Sequence, residues 1–261
     1  MRTFTFTICF ILCGFSVHAQ LTDKIETDRP DQTESPYTVP KKWLQVEAGF
    51  NIENDKSGAR EFVHPTVLSK YGLSQRFELR LITEFISFQT PVIIPLGNDI
   101  VTGLQPVEVG GKLALFEEKG IRPKTSFIFH TAIPKAASKK FQQTNWAPNF
   151  RFTMQNSLSE VISLGYNLGM EWYGEEGTKP SFIYTFAPGF NLSEKWYAYI
   201  EIFGFINPDN HPQHSIDGGI AYNFSNNTKI DLSGGFGITK NTSLKDYIAI
   251  GFSFRLPLKK D

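Results

Sequence analysis

From residue 42 onward, apolar and polar positions alternate with a period of two, stretch after stretch. In "VISLGYNLGMEW", residues 161–172, Ile162, Leu164, Tyr166, Leu168, Met170 and Trp172 are apolar, while Ser163, Gly165, Asn167, Gly169 and Glu171 lie between them. Period two is the signature of an extended strand with two unlike faces. The same pattern predicts strands at 42–52, 62–72, 76–86, 106–116, 125–133, 148–155, 161–172, 181–190, 196–206, 215–224, 229–239 and 247–258. The phase of the second is obscured by Pro65, which cannot donate to a ladder. About ten residues is the length a tilted strand needs to cross a bilayer.

The connections carry a second pattern. Short turns recur as "GLSQRF" at 72–77, "SLSEVI" at 157–162, "NLSEKW" at 191–196 and "NFSNNT" at 223–228, with "FEEKGI" at 116–121 completing the series. Leu158, Leu192 and Phe224 hold equivalent places, 34 and 32 residues apart. That interval fits two strands, one short turn and one longer loop. Longer loops are predicted at 53–61, 87–103, 134–147, 173–180, 207–213 and 240–246. Short turns at one end and long loops at the other are the habit of outer-membrane barrels.

Alternation alone does not say which face is wet, because a soluble sandwich alternates too. Trp43, Trp146, Trp172 and Trp196 all fall at strand ends, where an interfacial aromatic belt is expected. The apolar face rarely carries a charge, and the other face is rich in Gly, Ser and Ala, which suits a crowded barrel interior. Hydrocarbon cannot satisfy a free backbone N–H, so the sheet must close on itself. The expectation is an all-β chain: a transmembrane antiparallel β-barrel of about twelve strands with up-and-down topology, spanning 42–258.

The residues before the barrel divide in two. In "MRTFTFTICFILCGFSVHAQ", Arg2 precedes a short apolar run and Val17-His18-Ala19 resembles a cleavage site, so 1–19 reads as a signal peptide with Gln20 the first mature residue. Both cysteines, Cys9 and Cys13, lie within it, so the mature chain is expected to have no thiol, disulfide or lipid anchor. Residues 20–41 are proline-rich and acidic, an extended segment that is either a periplasmic tail or a plug. As a plug, Glu26, Asp28, Arg29, Asp31 and Glu34 enter the barrel and pair with Arg80, Lys112, Arg151 or Arg255.

The segment "IETDRPDQTESPYTVPKKWLQVEAGF", together with "YGLSQRFELRL" and the closing "YIAIGFSFRL", resembles the family labelled transporters of the meta-pathway of phenol degradation. The likeness covers the mature chain, and "TDRPDQTES" is its most specific part. It implies an outer-membrane barrel that passes small molecules, aromatic or hydrophobic ones among them.

Charge and chemistry narrow the function further. Lys plus Arg and Asp plus Glu each number 26, so nothing draws the chain to nucleic acid. Lumen-lining candidates of both signs are Glu47, Glu78, Arg80, Glu84, Glu108, Lys112, His130, Arg151, Glu171, Glu201, Asp217, Asp231 and Arg255. Such a lining selects permeants by charge and width. His211 and His214, in "HPQH", are too weak a pattern for zinc; no metal or cofactor is expected. A barrel lipid hydrolase would need Ser, His and an orienting group on one outer surface, and the sequence groups none; no catalytic residue is assigned. A third class is a scaffold or surface-binding barrel acting through "KAASKKFQQTNW" at 135–146. Expected partners are outer-membrane lipid, a small-molecule permeant and, during biogenesis, the barrel-assembly machinery, for a protein exported to the bacterial outer membrane.

Overall fold

The computed structural model describes residue 22 and residues 24–91 and 100–258. The signal-peptide reading, with Cys9 and Cys13, falls outside them. Among the described residues, thirteen strands form one antiparallel sheet: β1 Trp43–Asp55, β2 Arg60–Gly72, β3 Phe77–Gln89, β4 Ile100–Leu104, β5 Glu108–Phe116, β6 Lys124–Ala132, β7 Ala147–Ser157, β8 Ile162–Glu171, β9 Ser181–Asn191, β10 Trp196–Ile206, β11 Gln213–Ser225, β12 Thr228–Gly237 and β13 Leu244–Pro257. β1 pairs with both β2 and β13, which closes the ring. β4 and β5 both pair with β3, so they form one interrupted stave and the barrel has twelve. The break at Gln105, Pro106 and Val107 falls where Pro106 has no N–H to offer the ladder. Residues 87–89 and 100–103, expected as loop, are therefore strand.

Polarity is inverted relative to a soluble protein. Glu78, Lys112, Asn167 and Glu201 are fully buried, whereas Phe50, Leu81, Phe152, Leu168, Ile200 and Ile250 are exposed on the outside. A continuous greasy belt of this size is stable only against lipid. The stretch 161–172 follows suit: Asn167 points in, and Leu168, opposite Phe152, points out.

Two local devices set the register. In β2 the ladder slips between Val63 and Thr66, so one extra residue at His64–Pro65 is accommodated as a bulge. The slip lets Phe62 and Tyr71, nine positions apart, face the same side. At the short turns, a serine hydroxyl accepts from the backbone two or three residues on. Ser74 takes the Arg76 N–H at 3.2 Å, Ser159 the Ile162 N–H at 3.0 Å, Ser193 the Trp196 N–H at 3.1 Å and Ser225 the Asn227 N–H at 3.1 Å. This is why "LS" recurs there. The connection at 117–123 is longer than its sequence suggested, because Lys119 and Arg122 form a bridge within it. The loop expected at 53–61 contracts to 56–59, where Gly58 takes a positive φ of 92°.

Candidate functional site in the barrel interior

Residues 24–40 have no ladder of their own, so their backbone groups need other partners. The barrel wall supplies them. The Asp28 N–H donates to Glu47 at 2.9 Å, Gln32 N–H to Glu201 at 2.7 Å, Glu34 N–H to Asn167 at 2.7 Å and Val39 N–H to Glu78 at 2.6 Å. The carbonyls of Glu26, Glu34, Ser35 and Pro36 accept from Gln45, Asn167, Lys112 and Ser126. Each of these wall residues lies on the inner face of its strand. The segment thus runs inside the ring, with Ile25 and Val39 buried.

Charge does the rest. Asp28 sits between Lys112, at 2.8 Å, and Lys70, also at 2.8 Å, with the Arg80 guanidinium at 3.2 Å. Arg80 also holds Glu34 at 2.7 Å, and Lys70 contacts Glu47. Arg29 reaches the other wall, 3.1 Å from Asp231. Its guanidinium lies over Gly49 and Gly251, which face each other across β1 and β13; a Cβ there would come within 2.1 Å and 2.4 Å of it. The Asp28 carboxyl, though buried, is held well below the usual aspartate range by Lys112, Lys70 and Arg80. Desolvation pushes the half-buried Glu34 carboxyl up, but Arg80 outweighs it and holds the group below the usual glutamate range.

Cavities flank the segment. One of about 570 Å³ opens beside Lys24, Glu26, Asp31, Thr33, Tyr197 and Lys229, toward the short turns. Two others, of about 220 Å³ and 370 Å³, lie toward the long loops. The smaller is lined by Gln32, Glu53, Phe203 and Tyr247, the larger by Glu171, Tyr173, Asn207 and His211. Residues 31–34 separate the two ends.

The residues singled out from sequence fall as follows. Glu47, Glu78, Arg80, Lys112, Arg151, Glu201 and Asp231 face inward and contact the segment. Arg255 also faces inward, where it binds Thr22, Asn227 and the Trp43 ring. Glu84 bonds Thr66, Glu108 bonds Asn149, and His130 is buried against Gly110. Asp217 bonds Tyr247, and Glu171 lines the upper mouth. Trp43 departs from the expected belt: it shares the inner face with Gln45 and Glu47 and stacks 5.5 Å from the Arg255 guanidinium. Trp146, Trp172 and Trp196 are exposed at strand ends. Sequence reasoning missed Lys70, Thr33 and Asn167 as partners. The bulge in β2 hid Lys70's phase; the other two carry no charge to mark them.

His214 turns outward to the Tyr184 hydroxyl at 2.6 Å, while His211 lies at the mouth. Among the described residues the outer surface holds a Ser–His contact, unexpected from sequence. His64 Nε2 lies 2.9 Å from Ser87 Oγ, which meets the Thr102 hydroxyl at 2.8 Å. Among the described residues no carboxylate or amide side chain bonds His64, so no orienting third group is present.

Residues 27–256 match the family model described as "Putative MetA-pathway of phenol degradation". The chain belongs to this family. A search of curated protein sequences gives no match. Among solved structures, this phenol-degradation-family chain is similar to an outer membrane channel from Pseudomonas putida F1, with a TM-score of 0.67 at 9% identity over 84% of this chain and 97% of that one. It is also similar to the KdgM porin in complex with oligogalacturonate, with a TM-score of 0.56 at 8% identity over 80% and 98% of the two chains. The NanC porin gives 0.52 at 11% identity over 82% and 100%. The family member therefore has the fold of an outer-membrane channel.

Proposed function

We propose that this protein is an outer-membrane channel for small molecules whose lumen is closed at rest by its own N-terminal segment. The observation that carries this is the seating of Asp28 between Lys70, Lys112 and Arg80, in a segment whose residues 31–34 lie between the cavities of the two ends. A buried carboxylate with three cations is expensive to assemble unless its position matters. In this reading Glu26, Asp28, Arg29, Asp31 and Glu34 are plug residues. The inward groups from Glu47 to Arg255 line the path and select among solutes by charge and width.

The permeant class follows from the family description and the lining. Aromatic solutes of phenol size suit a narrow twelve-stave lumen that carries Phe203, Phe205 and Tyr247 beside polar groups. The route to the membrane runs through export by residues 1–19 and insertion by the assembly machinery, with Trp146, Trp172 and Trp196 anchoring in lipid headgroups.

Planar-bilayer conductance of the full mature chain and of a chain lacking residues 21–36 tests the plug. A higher conductance on deletion supports it; equal conductance makes the segment a mere tail. Liposome swelling with a panel of phenols and sugars tests the permeant class, and no swelling with any solute refutes transport.

A further inference from the structure

The inner wall has two unlike halves. On β1–β3 and β5, each buried carboxylate has a lysine or arginine within 4.0 Å: Glu47 has Lys70, and Glu78 has Arg80 and Lys112. On β10–β13 the arrangement differs. Glu201 and Asp217 are direct cross-strand partners, both inward and both buried, at 0% and 5% exposure. Like charges in that position repel. Among the described residues neither has a cation within salt-bridge distance.

Their hydrogen bonds leave specific gaps. Both Glu201 oxygens accept from the segment, from the Gln32 N–H and the Thr33 hydroxyl. Asp217 Oδ2 accepts from the Tyr247 hydroxyl, but Oδ1 has no partner. The Tyr199 hydroxyl, buried to 2% exposure, has none either, and the Ser233 hydroxyl, at 4%, has only the Tyr247 hydroxyl beside it. These groups converge. The Tyr199 ring lies over Gly219, where a Cβ would be 2.7 Å from Cε1 and 3.0 Å from the Ser233 Cβ. The Tyr247 ring lies over Gly235, where a Cβ would be 2.8 Å from Cε1 and 2.5 Å from the Asp217 Cβ. Two glycines thus let two tyrosines lean inward, Tyr247 from β13 onto Asp217 and Tyr199 from β10 beside Ser233.

A carboxylate oxygen and a tyrosine hydroxyl, buried and unpartnered beside a serine hydroxyl and a second carboxylate, form an acceptor set that calls for positive charge. No group of three His, Cys, Asp or Glu side chains among the described residues is arranged to hold a metal ion, so a compact divalent site is not what is built. We propose that Asp217 Oδ1 and the Tyr199 and Ser233 hydroxyls, backed by Glu201, bind a small monovalent cation, either an alkali ion or a primary ammonium group. The tyrosine faces add a cation–π surface for it. Tyr247 lines the upper cavity and the Glu201-bound Gln32 lines it too, so the cluster adjoins the path. A role in permeation rests on the channel reading; the site itself does not.

The test uses the full mature chain crystallised from detergent in rubidium chloride, with anomalous difference maps. An anomalous peak beside Asp217 and Tyr199, lost in Asp217→Asn and weakened in Tyr199→Phe, is expected. Displacement of the peak by ethylammonium identifies an ammonium-accepting site, and persistence of the peak identifies an alkali-ion site. No peak in the wild-type protein overturns the proposal. In parallel, reversal potentials across a potassium chloride gradient should show cation preference that falls several-fold in Asp217→Asn. A rubidium peak without current sinks the channel reading and leaves the site standing; current with no peak does the reverse.

Discussion

Removing the Asp28 carboxylate is the most direct way to loosen the segment. Asp28→Ala deletes two contacts of 2.8 Å, to Lys112 and Lys70, one of 3.2 Å to Arg80, and the bond its Oδ1 accepts from the Ser35 N–H at 2.9 Å. At an effective dielectric of about 20, each closest pair is attracted by about 6 kcal/mol, most of which offsets desolvation. Measured costs of breaking one buried partner are roughly 3–5 kcal/mol, because the remaining charges lose their counterion. The barrel does not need Asp28 to close, so the cost falls on the seated state of the segment. Since about 1.4 kcal/mol is a factor of ten, the unseated population should rise by roughly two to three orders of magnitude. Single-channel recording reads this as open probability, and limited proteolysis reads it as cleavage within residues 24–40. Asp28→Asn, which keeps the Ser35 bond, should lie between the two. Unchanged open probability together with unchanged proteolysis in Asp28→Ala would refute the reasoning, because no buried ion cluster of this kind would then be holding the segment.

Other outcomes follow from the same geometry. Gly251→Val should expel the Arg29 guanidinium from its slot and open the channel as Asp28→Ala does, with heat-modifiable gel mobility showing that the barrel still folds. Lowered carboxyls stabilise the seated state above their ordinary range and lose that effect only as pH falls through the folded value. Protease protection should therefore hold from neutral pH down past the ordinary aspartate value of 3.8 and fail only below it, whereas protection fading near pH 6 would contradict the assignment. Leu168→Arg, on the lipid face, should cost about 2–4 kcal/mol in denaturant-monitored folding into liposomes, and no loss would argue that this face does not meet hydrocarbon.

Alternation in the sequence placed nearly every stave, since a two-residue period has only one way to lie when one side is greasy. It failed where the period breaks. Val63 to Thr66 carry an extra residue, and Lys70 could not be phased across it. Residues 100–103 looked like loop because Pro106 cuts them from β5 and only pairing with β3 makes them strand. The acidic segment advertised Asp28 and Glu34 through their charge, but which cation each meets depends on the angular position of staves around the ring, and sequence carries little of that. Trp43 illustrates the same limit: its place at a strand end was legible, while its inward turn depended on Arg255 lying above it.

The segment's partners have a consequence for biogenesis. Residues 24–40 emerge first, yet Arg29 ends on Asp231, Thr33 on Glu201 and Ile25 on Asn226, well over a hundred positions away. Such distant partners exist only once the last hairpins are in place, and joining them carries the loop-closure penalty of nearly the whole polypeptide. The amino-terminal stretch must therefore wait, threaded through or beside a half-made wall, until β13 zips onto β1. Its docking becomes the final event of maturation, and on the plug reading proposed above a nascent molecule leaks until that moment.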